Sequence, residues 1–246
     1  MIDSFGLFAL ATLAAMFAGI SKGGFGSGAA FASSAILALV LPPAQALGLM
    51  LPLLMLIDVV SLPHYWGRWS APDARVLLIG ALPGVALGAA LFHYASDDAL
   101  RFLIGSVALG FVVWQLWPRK TTRAAMPVWV GGIAGLVAGF TSFVSHAGGP
   151  PVAVYLLSRK VEKTTYQATT VLIFWIINIA KAVPYAFLGA FTWEVLKADL
   201  WLAPFAILGT WIGVKAHHMV SERLFFGLTY VLLAVTGAKL IWDALV

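Results

Sequence analysis

The chain contains no cysteine and very few charged residues. The absence of cysteine excludes disulfides, iron–sulfur clusters and thiolate catalysis. Only 10% of the 246 residues are charged and 61% are hydrophobic, whereas roughly a quarter of the residues in soluble domains are charged. A soluble fold of this length cannot bury so much apolar surface, so the composition indicates an integral membrane protein.

Familiar catalytic motifs are missing as well. The sequence has no Walker loop, no His-Glu-x-x-His and no Gly-x-Ser-x-Gly, so we predict neither an enzyme nor a resident cofactor. His217 and His218 are adjacent and would point apart on a helix, which makes a poor metal pair. The net charge of +5 comes from basic residues in short loops between apolar runs, where membrane topology explains them better than nucleic-acid binding.

Six segments are long and apolar enough to cross a membrane as single helices. A bilayer core of about 30 Å needs roughly 20 apolar residues per helix. The segments that meet this length are about 44–66, 72–94, 97–117, 164–188, 194–216 and 221–244.

Two longer apolar stretches, 4–40 and 127–158, are each interrupted by a Gly-rich break. The first break, 21–28, reads Ser-Lys-Gly-Gly-Phe-Gly-Ser-Gly; the second, 145–151, reads Ser-His-Ala-Gly-Gly-Pro-Pro. Such pairs stop a helix, because Gly is conformationally loose and Pro lacks a backbone donor. We therefore predict that each stretch forms two helical arms that meet at a non-helical tip.

The two halves of the chain repeat one pattern. Matching residues occur in the same order at offsets between 122 and 125, about half the chain length, which indicates a two-fold duplication. The matches are Gly23-Gly24 with Gly148-Gly149, Gln45-Ala46 with Gln167-Ala168, Gly67 with Gly189, Gly84 and Gly88 with Gly209 and Gly213, and Leu100 and Phe102 with Leu224 and Phe226.

Loop charges predict how the repeats are oriented. The basic loops 117–126 and 158–164 belong in the cytoplasm by the positive-inside rule. Stretch 127–158 then starts and ends on one side and must be a hairpin, and the repeat makes 4–40 a hairpin too. Three spans after each hairpin give the repeats 1–120 and 121–246 opposite orientations, with both termini outside the cytoplasm.

The remaining loop charges agree with this topology. Arg68, Arg75, Lys215 and Arg223 fall inside, and Asp3, Asp97, Asp98, Glu194, Asp199 and Asp243 fall outside, with Arg101, Lys197 and Lys239 as a basic minority. The predicted fold is thus an all-α integral membrane protein of two inverted repeats, each a broken-helix hairpin plus three transmembrane helices. Inverted repeats with broken helices are typical of transporters.

The two tips are the first candidates for a binding site. Irregular backbone at membrane depth is tolerated where protein buries it or where it lines a cavity. Each tip precedes a half-helix whose N-terminal N–H groups and positive dipole end suit an anion, although the glycines could instead serve helix packing alone. The candidate substrate-binding residues of the tips are Lys22, Gly23, Gly24, Phe25, Gly26, His146, Gly148 and Gly149.

Lys22 and His146 occupy near-equivalent positions in the two tips. A lysine at membrane depth is costly and usually functional, and an anion would offset its charge. His146 could donate to an anion or exchange protons near neutral pH. The alternatives are that Lys22 extends to the membrane surface or pairs internally, and that His146 is a hydrogen-bonded packing residue.

Asp58 and Lys181 also lie at membrane depth, at nearly equivalent positions in the two halves. One interpretation is a structural ion pair between them. The other is that Lys181 binds the anion and Asp58, with His146, is a proton-coupling site. Asn178, about one helical turn before Lys181, could share its face and contact the substrate.

Together these motifs resemble those of the sulfite exporter TauE/SafE family. The resemblance rests on the two Gly-rich breaks and on the pattern of Asn178, Lys181, Pro184-Tyr185 and Gly189, and it covers essentially the whole chain. It implies a permease for sulfite, organosulfonates or related small anions, often an exporter, coupled to the proton gradient.

The sequence therefore predicts a secondary transporter of a small sulfur-containing anion in the inner (plasma) membrane, with a lipid bilayer, a small anion and protons as its partners. Two alternatives stay open. One is a permease for another small organic anion such as a carboxylate, and the other is a membrane assembly or scaffold protein.

Overall fold

The protein is all-α in a computed structural model that describes residues 4–25, 30–117, 125–216 and 222–246; no strand occurs in these ranges. A π-helical segment, Ser21–Phe25, extends the first helix. The helices are α1 (Phe5–Ile20), α2 (Phe31–Leu37), α3 (Pro43–Tyr65), α4 (Ala71–Tyr94), α5 (Asp97–Leu116), α6 (Val128–Ser145), α7 (Gly149–Ser158), α8 (Lys163–Phe187), α9 (Trp193–Ala216) and α10 (Glu222–Leu245).

Eight of the described helices are long and apolar enough to cross a membrane. The six predicted single spans are confirmed as helices α3, α4, α5, α8, α9 and α10. Large apolar side chains such as Ile79, Leu200 and Trp201 are exposed on these helices, where lipid would cover them. The protein is a multi-pass membrane protein.

The two long stretches fold back on themselves as predicted. In the second stretch, the backbone N–H of Met126 donates to Ser158 Oγ at 3.3 Å, so the beginning of α6 lies beside the end of α7. In the first stretch, Ser33 Oγ of α2 donates to the carbonyl oxygen of Ala14 at 2.7 Å. The α6–α7 stretch therefore starts and ends at one end of the bundle, and α2 packs back along α1.

The first break differs in detail from the prediction of a non-helical tip. The helical backbone continues through Gly23 and Gly24 to Phe25 as a π-turn, which widens the helix. A Cβ on Gly23 would lie 2.5 Å from the carbonyl oxygen of Thr210 in α9. The glycines thus permit close approach to α9, and the helix has no need to end at them. The second break does end a helix, because His146 is left-handed with φ 57°.

The connections between α3 and α4 and between α7 and α8 lie at one end of the molecule. The backbone N–H of Ser70, between α3 and α4, donates to Thr169 Oγ1 near the start of α8 at 2.9 Å. Arg159, at the end of α7, pairs with Asp73 of α4 at 3.2 Å. This grouping is the one that the predicted topology requires, because these loops were all assigned to the cytoplasm.

Helices of the two halves pack against each other in matching pairs. α4 packs against α6 and α9 against α1, while α5 packs against α10 and α3 against α8. If α1–α5 are each replaced by their counterparts α6–α10, and the reverse, the same set of packed pairs results. Small residues allow the contacts, since a Cβ on Gly84 would overlap the carbonyl oxygen of Leu136 and one on Gly213 that of Ile20.

The turns after α3 and α8 use glycine in the same way. Gly67 has φ +74° and Gly189 has φ +71°. Both values lie in the left-handed region, which other residues adopt only with strain. These two glycines are repeat-equivalent in the sequence, and they end equivalent helices.

Asp199 does not lie in an outer loop, contrary to the prediction from the loop charges. It lies within α9 and is 7% exposed. Neither of its carboxylate oxygens has a hydrogen-bond partner among the described residues.

Candidate functional site: a buried cavity with two lysines

Lys22 lies in the π-helical segment after α1, and its side chain is buried inside the bundle. Its Nζ lies 2.5 Å from Asp58 Oδ1 and donates to the carbonyl oxygen of Leu54 at 3.5 Å. Leu54 and Asp58 are one helical turn apart, so the ammonium group contacts one face of α3. Lys22 therefore pairs internally, one of the two alternatives that the sequence left open.

Asp58 is fully buried, and donors contact both of its oxygens. Lys22 approaches Oδ1, and Asn178 Nδ2 donates to Oδ2 at 2.6 Å. Two donors on two oxygens suit an ionised carboxylate, which can only accept. The ion-pair partner of Asp58 is thus Lys22, and α8 reaches this carboxylate through the amide of Asn178 rather than directly through Lys181.

Lys181 is wholly buried and is bonded to neutral groups only. Its Nζ donates to the carbonyl oxygen and to Oγ of Ser142, each at 3.0 Å, and to Nδ1 of His146 at 2.8 Å. Three acceptors match the three N–H donors of an ammonium group. No carboxylate of the described residues lies within ion-pair distance of Lys181.

His146 is held by hydrogen bonds on both ring nitrogens. Nε2 lies 3.1 Å from the carbonyl oxygen of Leu47, which can only accept, so Nε2 carries the proton. Nδ1 then accepts from Lys181. This arrangement needs a neutral imidazole, because a second proton on Nδ1 would face the Lys181 ammonium group.

The buried groups carry an excess of positive charge. Lys22 and Lys181 supply two cations, Asp58 supplies one carboxylate, and His146 is neutral. Residues 26–29, which lie outside the described ranges, contain no ionisable side chain. With both lysines protonated, one positive charge at membrane depth is unbalanced, which is costly unless an anion offsets it.

Both lysines line one small cavity. Its walls also include Ser142, His146 and Asn178, so side chains from the two breaks and from α8 converge there. The cavity volume is about 10 Å³, which is room for roughly one water molecule. An oxyanion is larger than one water, so the site must open before it admits one.

The backbone of the first break is held by polar side chains. Gln167 Nε2 donates to the carbonyl oxygen of Lys22 at 2.6 Å, and Tyr65 donates to that of Gly23 at 2.9 Å. A Cβ on Gly24 would overlap the carbonyl oxygen of Gly213 in α9. Phe25 is buried, and Gly26 lies outside the described residues.

The second break offers few free backbone donors. Gly148 precedes α7 and packs tightly, since a Cβ there would lie 2.7 Å from the carbonyl oxygen of Ala138. Gly149 begins α7, but Pro150 and Pro151 follow and have no N–H group. The lysine side chains, more than helix N-termini, thus form the positive surface of the cavity.

Sequence analysis missed several residues of this site. Ser142 lies one helical turn before His146, so its helical spacing could have identified it. Gln167 was noticed only as a repeat match, and its contact with Lys22 spans 145 positions of sequence. Leu54 takes part through its carbonyl oxygen, which no side-chain pattern predicts.

Membrane-spanning helices around a buried cavity lined by two lysines define the chain as an integral membrane protein. The chain matches the model of the sulfite exporter TauE/SafE family over residues 11–240, and it therefore belongs to that family of membrane transporters. No curated protein and no solved structure matches it.

Proposed function

We propose that this protein is a secondary transporter that exports a small sulfur-containing anion, such as sulfite or an organosulfonate, across the inner membrane. The observation that carries the proposal is a small cavity lined by two buried lysines with one carboxylate beside it, because an anion would balance this charge. Membership of the sulfite exporter family supports the choice of a sulfur anion.

Lys181 and Lys22 bind the anion in this proposal. Among the described residues, all the acceptors of Lys181 are neutral, so an anion can replace them without stranding a carboxylate. Ser142 and Asn178 add polar groups to the same cavity, and His146 orients the Lys181 ammonium group. The glycines of the two breaks bring the backbones close enough to form these walls.

Asp58 is the proton-coupling group in this proposal. Proton uptake by Asp58 would remove the negative charge that offsets Lys22, so the protonation state of Asp58 sets how strongly the cavity attracts an anion. His146 is less suited to that role, because its Nδ1 already accepts from Lys181. Proton uptake by Asp58 and anion binding therefore both act on Lys22.

The paired packing of the two halves supports inverted repeats with boundaries at 1–120 and 121–246. Equivalent helices make equivalent contacts, and Gly67 and Gly189 adopt the same conformation. In this arrangement both termini face outward, and alternating access moves one repeat against the other around the cavity.

The test is sulfite flux in proteoliposomes. Wild-type protein should carry sulfite faster than empty liposomes do, and Lys181→Met should reduce that flux at least about tenfold. Lys197→Met is the matched control, because Lys197 is an exposed lysine that pairs with Glu194 at 3.4 Å. It should transport like the wild type.

Other outcomes distinguish the alternatives. Flux of acetate but not of sulfite would favour a carboxylate permease. Flux of neither solute by folded protein would contradict a transporter of small anions and favour an assembly or scaffold protein.

A further inference from the structure

We infer that Asp58 sets the charge of the anion that the cavity accepts, so that the site prefers a monoanion to a dianion of the same shape. The inference rests on the proposed function, since it concerns the same cavity. It states which anion charge the site selects, and it attributes this selection to Asp58, which need not contact the anion.

This selection follows from the buried charges. Lys22 and Lys181 bring two positive charges, and Asp58 cancels one of them at 2.5 Å from Lys22. A monoanion makes the buried site neutral. A dianion leaves one uncompensated negative charge in a low-dielectric interior, which is strongly unfavourable.

No other described side chain around Asp58 alters this balance. From the π-helical segment Lys22 faces it, and from α8 the neutral Asn178 does so, with Lys181 farther along the same helix. His146 is neutral by its two hydrogen bonds. The buried carboxylate of Asp73 belongs to a separate pair with Arg159.

Size and shape provide weaker discrimination than charge here. The contacting groups are flexible lysine amines and small polar groups, and they present donors to any oxyanion. Two anions of equal size and different charge therefore isolate the effect. Methanesulfonate and sulfate are such a pair, because both are tetrahedral at sulfur and they differ by one charge.

The experiment measures the dissociation constants of methanesulfonate and of sulfate with purified protein in detergent at neutral pH. In the wild type we expect methanesulfonate to bind at least about tenfold more tightly than sulfate. In Asp58→Asn the site gains one net positive charge, so this ratio should fall at least about tenfold.

Three variants control the comparison. Lys22→Met/Asp58→Asn removes one charge of each sign, so it should restore the wild-type ratio. Asp199→Asn makes the same chemical change at a buried carboxylate of α9, outside this cluster, and should leave the ratio unchanged. If Asp58→Asn does not fold, Lys181→Met still tests the idea, because its neutral cavity should bind methanesulfonate about tenfold more weakly.

Several results would overturn the inference. Sulfate binding to the wild type as tightly as methanesulfonate would overturn it and leave the proposed function intact. An unchanged ratio in folded Asp58→Asn would do the same. If the protein binds neither anion but still transports sulfite, the inference is wrong and the proposed function stands. If it binds neither anion and does not transport sulfite, both the inference and the proposed function are wrong.

Discussion

At the scale of single residues, the buried charges of this protein depend on a few short contacts. Lys22 and Asp58 neutralise each other, and Asn178 completes the coordination of the carboxylate. In the part of the chain that the structure describes, the acceptors of Lys181 are all neutral. The two lysines are therefore not equivalent: removing Lys22 strands a carboxylate, whereas removing Lys181 strands no charge.

This difference gives a prediction about stability. Lys22→Met should destabilise the folded protein by about 3–5 kcal/mol, because Asp58 would remain buried without its counter-ion. Lys22→Met/Asp58→Leu should recover most of that loss, since both charges are removed together. Thermal and denaturant unfolding in detergent would measure both variants.

A matched control for the single change is Lys239→Met. Lys239 is exposed on α10 and pairs with Asp243 at the surface, and surface pairs contribute only about 0–1 kcal/mol. Equal stability of Lys22→Met and the double variant would contradict the importance of the buried pair.

At the scale of helices, the π-turn after α1 combines two tasks. It places Lys22 so that its amine reaches α3, and it presents Gly23 and Gly24 to α9. A π-turn contains one extra residue per turn, so successive side chains point in directions that a regular α-helix does not allow. The site and the α1–α9 contact are therefore built by one segment.

Gly24 should accordingly tolerate no larger residue. Gly24→Ala places a Cβ against the carbonyl oxygen of Gly213, a backbone atom that cannot turn away. We expect a loss of about 1–3 kcal/mol in stability and a decrease in sulfite flux, with Gly24→Val worse than Gly24→Ala. Unfolding in detergent and liposome flux provide the two measurements.

Gly110 offers the matched control for this change. It lies in α5 with nothing within 4 Å of its Cβ position, so Gly110→Ala should be neutral or slightly stabilising. Normal stability and flux in Gly24→Ala would mean that α9 moves aside without loss, contrary to the expected close packing.

At the scale of the whole molecule, the halves interlock rather than form two separate lobes. Each half supplies a helix, α4 or α9, that packs along the first arm of the other half's hairpin. The cavity lies where both halves contribute, with Lys22 from one and Lys181 from the other. The proposed alternating access would accordingly act at this cavity.

The orientation in the membrane can be tested with single cysteines, because the native chain has none. Lys160→Cys should react with a membrane-impermeant thiol reagent only from the cytoplasmic side, and Asp98→Cys only from the outside. The cysteine-free parent should not react from either side. Labelling of position 160 from outside would refute the hairpin topology and the inverted repeats with it.

Sequence reasoning was sufficient to predict the helices and most of the ionisable residues at membrane depth. Length and hydropathy are properties of short segments, so the six single spans and the two broken stretches could be predicted without knowing any contact. Lys22, Asp58, His146, Asn178 and Lys181 were also identified in advance, because polar side chains within apolar runs are rare and costly.

How these residues combine became evident from the packed helices alone. Asp58 lies 36 positions after Lys22 and 123 positions before Lys181. Because 123 is close to the repeat offset, the sequence favours pairing Asp58 with Lys181. Asp58 pairs with Lys22, because the π-turn brings the Lys22 amine to α3. The Lys181 amine instead donates to Ser142 and His146. Pairing depends on the directions of side chains in a packed bundle, and no local sequence pattern contains that information.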